Sequence, residues 1–155
     1  MNTLFGDLAV RLSEFSPETE ALSSMRRNRL KIIRLNRDDQ MYEKGIDSRG
    51  DKIGQYADST REAKKFKGQR YDHITLRDTQ AFHKSLDVRF KKNSFEITAD
   101  DRKESDTGGE PTFLTEVYGN EILGLTPDNL QFLLDLYVRP DMIMKLRARL
   151  TGFKI

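Results

Sequence analysis

The sequence predicts an α+β fold, with helices at both ends around a small antiparallel β-sheet. Two observations carry this. Apolar residues recur every three or four positions over the first 45 and the last 30 residues, the period of a one-sided helix. Alternation of apolar and polar side chains is clearest in one short stretch, "LDVRFKKNSFEITAD", and marks a hairpin with one face buried. We read the 155 residues as one domain, with an extended loop or arm at about 45–70 and a mobile loop at about 100–111.

The elements follow in order. Leu4, Leu8, Leu12 and Phe15 share one helical stripe. Ser16 is a natural N-cap, and Pro17 suits the first helical position, where its missing N–H costs nothing. From there Leu22, Met25, Leu30, Ile32, Ile33, Leu35, Met41 and Tyr42 populate one long helix that stops at Gly45. Residues 45–69 hold four glycines, many cations and almost no large apolar side chain. Within them "DSRGDKIG" is made of turn formers, and "DSTREAKKFKG" predicts one or two helical turns capped by Asp58 or Ser59. An extended piece from Tyr71 to Leu76 leads to a helix capped by Asp78 or Thr79, with Phe82 and Leu86 on one face.

Val88 and Phe90 alternate with polar residues, as do Phe95 and Ile97, and Lys92, Asn93 and Ser94 supply the turn between them. A polar loop, "DDRKESDTGGEPT", follows, then a short helical piece and an apolar landing segment in "FLTEVYGNEILGL". The last helix has Thr126 as cap and Pro127 at its first position, with Leu130, Leu133, Leu134 and Tyr137 facing inward. Pro140 kinks or divides it, Met142, Leu146 and Leu150 carry its second half, and Gly152 ends it.

Composition narrows the function. The chain is 36% hydrophobic and 34% charged, a low apolar content for a free-standing globule, so part of its surface is expected to be buried against partners. Twenty-seven basic and 25 acidic residues leave a net charge of +2, and the positive charge is local, at 25–37 and 61–70. A balance of this kind argues against wholesale wrapping of nucleic acid. There is no cysteine, so disulfides, thiolate metal sites and cysteine nucleophiles are excluded. No apolar run approaches the roughly 20 residues of a membrane span, and the first residues lack the pattern of a signal peptide, so a soluble protein made in the cytoplasm is expected.

Catalytic patterns are poor. "GIDSRGDK" lacks the Gly-Lys pair and hydroxyl of a phosphate-binding loop, and no serine sits in a nucleophile elbow. His73 and His83 fit no tight metal spacing. A hydrolase built from Asp72, His73, Asp78 and His83 requires all four to converge. The expectation is therefore no enzyme, no cofactor and no metal.

The order of features is more telling than any one motif. "GIDSRGDKIGQYADSTREAKKFKG" is followed by "ITLRDTQAFHKSLDVRF" and a β stretch ending in "ITADD". This order resembles the tailed-phage virion-morphogenesis family of tail-completion, or head–tail neck, proteins. In that pattern Gly45, Gly50 and Gly54 match a glycine-bearing segment, Tyr56 with Ser59 and Thr60 an aromatic before a hydroxyl, and Lys64, Lys65 and Lys67 a lysine-rich run. Leu76, Thr79, Phe82 and Ser85 match a leucine, Thr-Gly, apolar and hydroxyl series, with Gln80 in place of the glycine. The similarity spans about two-thirds of the chain, residues 40–140, and includes the closing stretch "YGNEILGLTPDNLQFLLDLYVRPDM".

The resemblance implies a structural virion protein of the head–tail connector, a homo-oligomeric ring around the DNA channel. It implies contact with neighbouring neck, portal-adaptor or tail proteins, DNA only as cargo in the lumen, and no membrane. The arm would supply the partner contact through Gly45, Gly50, Gly54, Tyr56, Lys64, Lys65, Phe66 and Lys67. The alternative is a small basic nucleic-acid-binding accessory protein using the cations of 26–37 and 64–70, for which Phe66 and Tyr71 make a thin stacking platform.

Overall fold

The computed structural model describes residues 4–78, 80–104 and 108–152, without the side chains of Leu4 and Phe5. It is an α+β protein. Helices α1 (Leu4–Ser13) and α2 (Pro17–Arg27) lead into α3 (Arg29–Arg34), which widens into a π-helical run, Leu35–Lys44. Then come α4 (Asp58–Phe66), α5 (Ala81–Ser85), strands β1 (Asp87–Phe90) and β2 (Phe95–Thr98), β3 (Arg102–Lys103), β4 (Thr112–Phe113) and α6 (Leu114–Tyr118). After a 3₁₀ turn, Asn120–Ile122, the chain ends in α7 (Pro127–Leu133), a second π-helical run, Leu134–Val138, and α8 (Arg139–Thr151).

Local signals set most boundaries. Ser16 Oγ accepts from Thr19 N at 3.3 Å and Thr126 Oγ1 from Asn129 N at 3.2 Å, each ahead of a proline in the first turn. Gly45 ends the first π-helical run at φ +62°. The expected single helix from Pro17 is broken at Asn28 (φ −98°, ψ 18°), whose Nδ2 donates to the Ser24 carbonyl at 3.0 Å. An asparagine that bonds the main chain locally competes with the helical ladder. The last helix is divided before Pro140. A proline there has no N–H to give and its ring crowds the carbonyl of Leu136, and the chain widens in that turn.

The β1–β2 hairpin pairs Val88 with Ile97 and Phe90 with Phe95, as the alternation predicts. These residues close a core with Ile32, Ile33, Leu86, Leu133 and Val138. Met41, Phe82 and Ile122 form a second cluster beside it. Three expectations fail on burial: Leu12 and Leu150 are each 41% and Leu30 67% exposed, so none joins the core. The loop at 100–111 is tied at both ends, because β3 pairs with β4 and Leu114 N reaches the Asp101 carbonyl at 2.9 Å. Residues 105–107 lie outside the described residues.

A buried polar network holds the first π-helical run against the segment before α7. Asn36 Nδ2 donates to the carbonyls of Ile122 and Gly124 (3.0 and 2.7 Å), and Gln40 Nε2 donates to that of Gly124 (2.9 Å). Gln40 Oε1 accepts from Thr126 N and Asn129 Nδ2 (2.9 and 3.0 Å). Ser24 and Arg27 both donate to Asp141, which ties α2 to α8 and holds that carboxyl below its ordinary range.

Candidate functional site

The arm singled out by the sequence divides into two parts. In the first, Asp47 is buried and its Oδ1 accepts from Arg49 N and Asp51 N at 2.8 and 3.0 Å, closing a tight turn. Ile46 bridges Lys52 across that turn. Ser48 N donates to the Glu121 carbonyl at 2.8 Å, and Ile53 N to that of Gly45 at 2.9 Å. A Cβ at Gly45 would lie 2.6 Å from His73 Cγ, so only glycine lets His73 close against the chain there. Tyr56 Oη accepts from Thr75 N at 3.0 Å and lies 3.1 Å from Thr75 Oγ1.

The second part projects. Every residue from Ala57 to Gly68 is exposed except Lys64. Asp58 in the first turn and Lys65 in the last suit the helix dipole of α4. Neither Asp58 nor Ser59 is the cap, which is Ala57 without a side-chain bond. At the end of α4, Phe66 is 94% exposed between Lys65 and Lys67.

Four of the expected contact residues are engaged within the chain itself. Gly45 and Gly54 make their close approaches within the chain, to His73 and Ile74. Tyr56 is committed to Thr75. Lys64 is buried, its Nζ over the Tyr56 ring at 4.9 Å and within hydrogen-bond reach of Gln69 Oε1 and the Arg77 carbonyl (3.3 and 3.4 Å). Gly50, Lys65, Phe66 and Lys67 remain at the surface.

Of the motif residues, Phe82 is buried and Leu76, at φ +52°, packs on the same cluster. Ser85 Oγ accepts from Asp100 N at 2.9 Å and donates to the Phe82 carbonyl at 2.8 Å, fixing the hairpin to α5. Thr79 lies outside the described residues. Asp78 does not cap α5; Gln80 stands at its start, at φ +66° and ψ −1°. That left-handed conformation is the one glycine adopts at no steric cost.

The sketched hydrolase group is spent on structure. His73 Nε2 donates to the Tyr42 carbonyl at 2.9 Å, with Nδ1 3.1 Å from Asp72 Oδ2. His83 Nε2 donates to the Thr75 carbonyl at 2.9 Å; burial, with help from Arg37 and Arg77, pushes its pKa below the ordinary value. Asp78 pairs with Lys103. No group of three metal-capable side chains gathers among the described residues.

The cations of the first helices are largely engaged as well. Arg27 and Arg29 pair with Asp141 and Asp87, Arg26 lies over Phe90, and Lys31 lies over Tyr137. Arg37 binds Asp38 through two nitrogens and holds that carboxyl below its ordinary range. Arg70 is held by Glu43 and Asp72 (2.7 and 3.2 Å) and, with Arg77, stacks on Tyr42. This Tyr42–Glu43–Arg70–Asp72 cluster roots α4 in the body. Sequence reasoning missed it, since its two halves, Tyr42–Glu43 and Arg70–Asp72, lie 27 or more residues apart.

No helix among the described residues is long and apolar enough to cross a membrane. No family model matches the sequence, and neither a curated protein nor a solved structure matches it.

Proposed function

We propose that this chain is a structural virion protein of the phage head–tail neck, of the tail-completion type, that assembles as a homo-oligomeric ring around the DNA channel. The observation that carries the reading is α4: a helix rooted in the body by ion pairs and glycine contacts, yet exposed along its length and tipped by an uncovered phenylalanine. A firm root and an unfilled tip suit a contact between subunits better than a lid or a substrate clamp. The left-handed conformation of Gln80, where the family pattern carries glycine, adds support from a second place in the chain.

In this reading neighbouring neck, portal-adaptor or tail proteins stack on the ring, and DNA passes through its lumen. The protein is made in the host bacterial cytoplasm and ends in the virion. Nucleic-acid binding gains no support from the basic faces, since most of their cations already hold carboxylates or rings of the same chain.

The test is the native mass of the purified protein by light scattering at low and high salt, with electron microscopy of the same sample. A discrete ring that survives high salt is the expected result. A monomer that binds DNA with a steep salt dependence would overturn it.

A further inference from the structure

Between the first π-helical run and α7 lies an open groove of about 390 Å³. Leu35, Phe132 and Tyr137 give it an apolar floor, and Asp38, Asp39 and Glu43 form an acidic rim. Lys31 and Arg34 border it too, but the Lys31 ammonium is committed to the Tyr137 face. Asp38 is engaged by Arg37 through both oxygens, and Arg34 adds its charge to the same carboxyl. Asp39 and Glu43 each spend one oxygen, Oδ2 on Lys44 and Asn129 and Oε2 on Arg70. Among the described residues Asp39 Oδ1 and Glu43 Oε1 accept no hydrogen bond.

The tip of α4 is the complement of this groove. It presents one bare aromatic ring flanked by two ammonium groups. Among the described residues Lys67 makes no ion pair; Lys65 reaches Glu62 only at 3.9 Å and lies over the Tyr71 ring at 5.6 Å, contacts it would exchange for the groove's carboxylates. An apolar cavity of about 150 Å³ already suffices for a benzene ring, so the groove has room for a phenylalanine side chain and for the lysine stems beside it. In its own copy Phe66 stands in solvent and leaves the groove open.

We propose that the groove receives Phe66 of a second copy of this chain, with the incoming Lys65 and Lys67 placed on the free oxygens of Asp39 and Glu43. Knob and groove are different patches of one surface, so every copy gives one knob and receives another, head to tail around a ring or reciprocally in a pair. Repeated around an axis, it would close the ring on whose reading this inference rests.

Complementation tests the contact. Phe66→Ser removes the knob and keeps the groove; Phe132→Glu spoils the groove and keeps the knob. Both positions are substantially exposed, and circular dichroism checks that each variant remains folded. Each alone is expected to lose assembly, with subunit affinity weakened at least tenfold, while an equimolar mixture forms a complex of two copies and stops there. Variants that both keep the wild-type oligomeric mass would overturn the knob and leave the ring standing. Monomeric variants that fail to combine would also overturn it. A wild-type mass of two copies, falling to one in each variant, would keep the contact and remove the ring. A wild-type protein that is monomeric at every concentration and salt would remove both.

Discussion

Residues 45–56 and 57–69 are written in the same vocabulary of glycine, aspartate, serine, arginine and lysine, and they meet opposite fates. The first stretch is drawn into the body by Glu121, His73 and Thr75, all distant in sequence. The second forms α4, whose one buried side chain is Lys64. Composition does not separate them. What separates them is whether a remote element offers main-chain partners and a surface of matching shape.

The comparison can be broken hardest at its root. Gly45→Ala is expected to cost about 2–4 kcal/mol in urea unfolding, adding left-handed strain to a clash with the His73 ring. Gly50→Ala, at φ +87° with nothing near its would-be Cβ, is the control and should cost only about 1–2 kcal/mol. Equal losses would mean that His73 does not clamp the arm.

Acid should loosen the same side of the molecule. His83, bonded to the Thr75 carbonyl, is held neutral chiefly by burial, with Arg37 and Arg77 adding to the effect against the Thr75 bond and Asp38. Its folded-state value lies below the ordinary 6.5, so the unfolded chain binds the proton more readily. The stability it contributes is complete above pH 6.5 and is lost as pH falls through the lower folded value. A pH series of unfolding midpoints should show this loss in the wild type and a shallower one in His83→Gln. Parallel curves would refute the assignment.

A smaller effect sharpens the resemblance. Gln80→Gly should stabilise the protein by about 0.5–1 kcal/mol, relief of the left-handed strain being partly offset by the entropy of glycine. A thermal melt that moves downward would mean that the Gln80 side chain has a role of its own. Least of all should be Phe66→Ser, within about 0.5 kcal/mol of the wild type as a monomer, since the ring touches so little of its own chain. A larger loss would show that α4 packs on the body after all.

These contrasts mark what the sequence could disclose. Ser16–Pro17, Thr126–Pro127 and Gly45 are local signals, and the caps and stop stand where they predict. The hairpin register follows from alternation alone. By contrast, Asn28 ends α2 by bonding its own turn, which apolar spacing does not reveal. Burial of Lys64 depends on Tyr56 and the Arg77 carbonyl, although a lysine run reads as solvated. Four of the eight expected contact residues find intrachain neighbours for this reason: those neighbours lie beyond the reach of any local pattern. The β3–β4 pair, two residues a side, is too short to leave a period.

The network around Gln40 also bears on the order of events during synthesis. Asn36 and Gln40 find their partners 84 to 89 residues further along the chain, and Asn129 reaches back to Leu35 across 94. A nascent chain that has emerged as far as α6 therefore keeps the Asn36 and Gln40 amides in water, since burying them without their partners would be costly. The first half of this protein waits for Thr126 and Asn129 to leave the ribosome before it can close. Until then its stability rests on short-range contacts. A stalled chain ending before Thr126 is then a natural substrate for chaperones, whereas one extended past α7 can lock.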